Sequence, residues 1–532
     1  MTRSLRRFAR LAIALMLPLL PMLISPPDSH AQAQAGGQTA QELIVHHDGV
    51  VNVKDLPPAS PGVSVGRVVP RKFPHPELLR RKKEKLEREG SMSQLAPESA
   101  LPLAPAAGPT IDTSFIGLSK SESGDFIPPD TQVAAGPNHL FEVVNTEGRI
   151  LNKDGTALTT PPFDGPFSFN TFFGLSDSVF LSDPKIRFDP MSEHWFVLAI
   201  TLGSSSGAWQ LAVSKDSDPT HDFFLYSFTT DNIGPDFPAI GFNDDKVVLT
   251  ANAFDCNPDC LSSSHFLGAM FLVLKKDDLL AGSTAKFQFF PPDRSLNTIQ
   301  PAHSLSSTTT LYMAAVKFNK AKKVRIWSVT GVPDGSGGGV TFTTIDLPII
   351  KLSSPPNAVQ MGTSVRVETN DNSLLDAVFR DDSLWVAANV ACRPSGDKKT
   401  RACLRFVEVT NLTGTMTVNQ DFNFGTTGTY SYYPAIQTDS ANNLITVFSR
   451  SSALEFASVY ASGRLTSDTP NTLQAPVLIK AGEASYGADR WGDYSGAGID
   501  PSDPTKVWVA GEYALAAGGS EWGTWIAEVH FP

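Results

Sequence analysis

DYSGAGIDPSDPTKVWVAGE, residues 493–512, decides the reading of this 532-residue chain. A polar residue beside a small one opens a short strand. A turn rich in Asp, Ser and Pro follows, and then a strongly apolar strand. The same sentence occurs six more times: DTQVAAGPNHLFEVVN from Asp130, DPKIRFDPMSEHWFVLAIT from Asp183, DFPAIGFNDDKVVLTAN from Asp236, QPAHSLSSTTTLYMAAV from Gln300, LLDAVFRDDSLWVAAN from Leu374 and YPAIQTDSANNLITVFS from Tyr433. A period of roughly 50 to 75 residues, each unit holding several short strands, predicts blades arranged around an axis. The expected fold is therefore all-β, a seven-bladed β-propeller.

Each unit parses into four strands, A to D. In the third they are PAIGFN, KVVLTANAF, GAMFLVLKK and AKFQFFPP. The B strands are nearly continuous apolar runs, as expected where neighbouring blades cover both faces. The A strands carry Ala, Gly and Ser, which suit a crowded axis. The last unit has only three strands, SGAGID, VWVAGEYA and GTWIAEVHF. An orphan strand, TSFIGLS (Thr113–Ser119), precedes the first unit. Pairing it beside Gly523–Phe531 would close the ring and remove a bare edge.

Outward from the repeats, the N-terminus reads as a targeting segment. Arg3, Arg6, Arg7 and Arg10 precede an apolar run (Leu11–Ile24) and A-x-A cleavage candidates, the layout of a secretory signal peptide. The domain reading is 1–33 signal peptide, 34–110 low-complexity spacer with a short charged helix, and 111–532 propeller. The spacer joins PPASPG, LLRRKKEKLEREG (Leu78–Gly90) and a Pro/Ala-rich linker. Its charged stretch offers i,i+4 pairs but almost no apolar face to pack.

The chain carries a net charge of −11, and the basic N-terminal segment makes the remainder more acidic still. That balance argues against nucleic acid and against anionic membrane surfaces as partners. No segment after the signal peptide is apolar enough to span a membrane, and a secreted or periplasmic monomer is expected. The four cysteines form two local pairs, Cys256 with Cys260 and Cys392 with Cys403. Export permits disulfides, whereas a zinc site would need four ligands at finger-like spacing.

Strand A entry and strand B exit fall on one face of a propeller, around the central mouth. Asp130, Asp183, Asp236, Gln300, Tyr433 and Asp493 mark the entries. Asn145, Asn252, Asn389, Ser449 and Glu512 mark the exits. Such side chains commonly cap turns or tie the backbone of the next blade. Convergent carboxylates also suit a hard cation, so Asp130, Asp183, Asp236 and Asp493 are candidate Ca²⁺ ligands. Arg490, Tyr494 and Glu512 complete the candidate site. Asp189, Asp381, Asp382, Asp439 and Asp500 lie in A–B turns on the opposite face, where turn chemistry accounts for them.

The string Arg490-Trp491-Gly492-Asp493-Tyr494-Ser495-Gly496, followed by Ile499-Asp500-Pro501, Trp508 and Gly511-Glu512-Tyr513, resembles a group of exported bacterial β-propeller proteins. With Pro129-Asp130-Thr131 and Ser182-Asp183-Pro184 it covers most of residues 125–531. The resemblance implies the fold and an extracytoplasmic location, and no settled activity. No H-E-x-x-H or P-loop occurs. The similarity to sialidase-like propellers is distant: no full Asp-box is present, and Arg187, Arg366, Arg450 and Arg490 do not follow that pattern. The expected function is a binding or scaffold module acting through the mouth on an extracellular protein or glycan. The alternative is a carbohydrate-active hydrolase or lyase.

Overall fold

The computed structural model describes residues 44–57, 69, 72–91, 108–158, 165–317, 321–516 and 519–532. The signal-peptide expectation (residues 1–33) lies outside them. The architecture is all-β with a propeller arrangement, and the described strands form six hydrogen-bonded sheets. Five are separate four- or five-stranded blades. The sixth is a ten-stranded sheet.

The expectation of seven separate blades is corrected by that last sheet. The meander Ile233–Asp293 and the meander Leu374–Phe424 are joined in it through the two-residue strand His303–Ser304. This strand pairs in parallel with Phe242 on one side and with Val378 and Phe379 on the other. It continues the innermost strand of the fourth repeat, which is split after Pro301. Innermost strands crowd the axis, and here three come close enough to share backbone hydrogen bonds.

The apolar B strands are buried as their sequences demand. HWFVLAITL (His194–Leu202) is covered at every position but the first, and KVVLTANAF within Lys246–Asp255 is covered throughout. The core lies between meanders. One cluster joins Phe196, Leu198 and Trp209 to Val247, Leu249 and Met270. Another joins Val386 and Val407 to Tyr312 and Ile326. Each blade is thus stabilised by its neighbours, and ring closure matters to all of them.

Closure follows the expected pairing. Thr110–Ser119 forms the outer strand beside Trp522–His530, from Thr110 opposite His530 to Ser119 opposite Gly523. Both expected disulfides are present, Cys256–Cys260 and Cys392–Cys403. Among the described residues no helix is long and apolar enough to cross a membrane.

The spacer reading of residues 34–110 needs correction over its described part. Ile44–Val45 pairs with Ala285–Lys286 and adds a strand to the ten-stranded sheet. Gly49–Asn52 pairs with Asp222–Leu225, and Val53 and Leu56 enter the adjoining core. Pro76–Ser91 is a helix with Pro at its first position, and Arg80 pairs with Glu77 and Glu84. Its inner stripe is Leu79, Lys83 and half-buried Leu86, spaced i, i+4, i+7. The sequence hid this face because one of its three members is a lysine. Lys83 is 5% exposed and donates to Asn357 Oδ1 at 2.6 Å and to Thr369 Oγ1 at 3.1 Å.

Candidate functional site at the central mouth

The entries to the innermost strands share a backbone signature. Asp130, Asp183, Phe237, Thr298, Asn370 and Tyr433 all have positive φ, between 27° and 56°. Non-glycine residues hold this left-handed conformation at a cost of about 1–2 kcal/mol each, so surrounding contacts must enforce it. Those contacts come from side chains of neighbouring repeats. Asn145 Oδ1 accepts from Asp183 N–H at 2.7 Å, Asn252 Oδ1 from Thr298 N–H at 2.9 Å, and Asn389 Oδ1 from Tyr433 N–H at 2.7 Å. Asp183 Oδ2 accepts from Phe237 N–H at 2.9 Å, and Asp376 Oδ2 from Ile436 N–H at 3.0 Å. The amides and carboxylates of the mouth are therefore interblade latches first.

This register shows where the sequence-derived list slipped. Asp236 precedes the repeat-equivalent position, which belongs to Phe237. Thr298 and Asn370 are equivalents that the list missed, because their residue types share nothing with Asp130 beyond the backbone they adopt.

The Arg490–Gly496 segment is the hub of the latching. Arg490 pairs with both oxygens of Asp493, at 3.0 and 2.9 Å. Trp491 Nε1–H donates to Ser449 Oγ at 3.1 Å, and Gly492 N–H to Glu512 Oε2 at 2.7 Å. Asp493 N–H donates to Asp130 Oδ1 at 2.6 Å, joining the last repeat to the first. Ser495 Oγ–H donates to the Tyr433 carbonyl at 2.9 Å. A Cβ on Gly496 would sit 2.4 Å from Val133 N, so only glycine fits there.

The remaining mouth residues divide into buried and facing groups. Asp130 is fully buried and also accepts from Asn145 Nδ2 at 2.8 Å. Burial, with Asp493 and Asp183 adding like charge, pushes its carboxyl up to about 7. Glu512 is buried behind Gly492, and burial raises it well above the ordinary glutamate range. Tyr494 approaches Asp183 Oδ2 through its hydroxyl at 3.4 Å, with the Lys185 ammonium over its ring. Asp183, Asp236, Arg490 and Asp493 line a small cavity. Asp236 also lines an adjoining small one with Asn252, Thr298 and Asn370.

Asp236 differs from the others. It is half-buried, lines both cavities, and its side chain receives no hydrogen bond among the described residues. Burial raises its carboxyl well above the usual aspartate range, Asp183 adding to the effect and Lys72 opposing it. Lys72 and Phe73 line both cavities too, and no repeat-based reading could have found them, since they lie before the repeats.

Below the mouth the axis is filled. Arg187 bonds Asp376 at 3.1 Å and Gln132 at 3.2 Å, and Gln437 lies 3.2 Å from His303 Nε2. Burial brings His303 down to about 4, so it is neutral at physiological pH. The arginine clamp of a sialidase is not assembled. Arg366 bonds the Asn357 carbonyl and Arg450 pairs with Glu455, while Arg490 is held by Asp493. Among the described residues no three of His, Cys, Asp and Glu are grouped to hold a metal ion. Of the residues expected to bind calcium, Asp130, Asp183, Asp236 and Asp493, Asp130 already accepts from Asn145 Nδ2 and Asp493 N–H, and Asp493 from the Arg490 guanidinium. Among the turn aspartates, Asp439 Oδ1 accepts from Ala441 and Asn443 N–H within its own turn, whereas Asp382 Oδ1 accepts from Thr413 N–H and Asp500 also holds Lys153.

No family model matches the chain, and no curated protein matches it. Among solved structures, an apocarotenoid oxygenase of Synechocystis aligns at 11% identity and a TM-score of 0.37, over 66% of this chain and 72% of that one. A Dyadobacter fermentans protein of unknown function aligns at 11% identity and a TM-score of 0.34, over 80% of this chain and 100% of that one. Likenesses at these values carry no inference about this chain's chemistry.

Proposed function

We propose that the chain is an extracytoplasmic binding module whose mouth accepts a basic side chain of a partner protein. The observation that carries the reading is Asp236, a carboxylate lining two cavities with no donor to it among the described residues. Asp183 flanks the same cavity, the Asp493 beside it is paired with Arg490, Lys72 is the other cation lining it, and the chain as a whole is acidic. An ammonium or guanidinium entering beside Asp236 would stabilise its charged form. Export is inferred from the basic and apolar N-terminal segment together with the two disulfides. We take the ring to hold seven repeats, the two meanders of the ten-stranded sheet counting as one blade each. The motif resemblance to exported propellers agrees with both inferences.

The test is fluorescence anisotropy with a labelled, N-acetylated hexalysine amide at low salt. Binding should be saturable and should weaken at least ~10-fold in Asp236→Asn, the loss of about one good charged contact. Equal affinity in the variant would remove the site from the mouth. A thermal shift in calcium chloride with no response to the peptide would return the mouth to the metal reading.

A further inference from the structure

The mouth is covered by the chain's own N-terminal segment. Val69 N–H donates to the Ile127 carbonyl at 2.8 Å, and its side chain packs with Phe126, Phe180, Leu202 and Cys260. The Lys72 ammonium donates to the Cys260 carbonyl, on the loop closed by the Cys256–Cys260 disulfide. It lies in the field of Asp236 and Asp183, and the side chain is 8% exposed. Phe73 forms part of both cavity walls. The helix Pro76–Ser91 then buries Leu79, 2% exposed, and anchors through Lys83 on Asn357 and Thr369, in the segment leading into the fifth repeat.

Two features distinguish this cover from ordinary core. It holds the mouth by a few contacts at separated points, and the charged group it sets into the mouth is the buried Lys72. A buried ammonium with one carbonyl acceptor is poorly satisfied, since it has three donors and loses much of its hydration. We propose that Val69 and residues 72–91 form a built-in plug that occupies the mouth with Lys72, so that a basic partner gains access by displacing it. This rests on the mouth reading above. The plug explains why an acidic mouth is lined by a basic segment from outside the repeats. It makes the apparent affinity the product of site affinity and the fraction of open molecules.

The experiment uses the full mature chain and a variant, Leu79→Asp with Lys83→Ala, that unseats the helix without touching the cavity. Amine labelling with an N-hydroxysuccinimide ester, read by mass spectrometry, compares Lys72 with exposed Lys85. In the wild type Lys72 should label at least ~10-fold more slowly than Lys85, and in the variant the two rates should converge. The hexalysine probe should bind the variant at least ~10-fold more tightly than the wild type. Lys72 labelling as fast as Lys85 in the wild type would overturn the plug. So would equal probe affinity in the two proteins while Asp236→Asn still abolishes binding. Probe binding to neither protein would sink the mouth reading alone, and the labelling rates would still decide whether the segment is a plug.

Discussion

Asp376 and Asp236 belong to the same ring of innermost strands and do opposite work. Asp376 holds three donors: the Arg187 guanidinium, Ala377 N–H and Ile436 N–H. Asp236 holds none among the described residues and lines two cavities beside Lys72. The difference teaches that residue type at the mouth says little by itself. A carboxylate whose oxygens are saturated by backbone and guanidinium donors is part of the fold, whereas one left without donors beside a cavity is available for a ligand. The comparison breaks if the two respond alike to substitution.

The largest contrast should come from truncation to alanine. Asp376→Ala leaves Arg187 buried beside the axis without its carboxylate and should cost about 3–5 kcal/mol. Asp236→Ala removes no hydrogen bond and should stay within about 1 kcal/mol. Urea unfolding of both variants reads this directly, and comparable losses would erase the distinction.

Asp130 offers a finer cut. Asp130→Asn turns one accepting oxygen into a donor facing Asn145 Nδ2 or Asp493 N–H, and should destabilise by roughly 1–3 kcal/mol. The matching Asp236→Asn change should leave the melting temperature nearly unchanged when both are measured below the ordinary aspartate range, where the wild-type carboxyl is protonated. A neutral Asp130→Asn would mean that the first-to-last latch does not hold the ring.

The smallest contrast lies in pH dependence. The Asp236 carboxyl is raised in the folded chain, so the folded state keeps a proton that the unfolded state loses as pH rises past the ordinary aspartate value. Its contribution to stability is complete below that value and is lost as pH climbs toward the raised one. Within that window the wild type should lose up to about 1.4 kcal/mol per pH unit relative to Asp236→Asn. Parallel stability curves for the two proteins would show that Asp236 is not perturbed.

The repeats were legible because their punctuation is chemical: polar entry, turn residues, apolar B strand. The same reading located the closing strand, since a three-stranded last unit and an orphan strand imply each other. The disulfides were legible from local spacing alone. The exact entry register was not, because it is held in left-handed backbone shared by Asp130, Phe237, Thr298 and Tyr433, residues with no common side chain. Nor was the joining of two meanders through His303–Ser304, which depends on distances at the axis. The N-terminal cover escaped because Lys72 and Lys83 are buried by partners far along the chain, Cys260, Asn357 and Thr369, that no local pattern announces.

The most direct measurement is calorimetric titration of the hexalysine amide in two buffers of different ionisation enthalpy, at a pH where Asp236 is protonated in the free protein. A cation entering beside that carboxyl should expel its proton. The observed heat should then depend on the buffer in wild type and be buffer-independent in Asp236→Asn. A wild-type binding heat that is the same in both buffers would contradict the assignment of Asp236 as the group that meets the ligand.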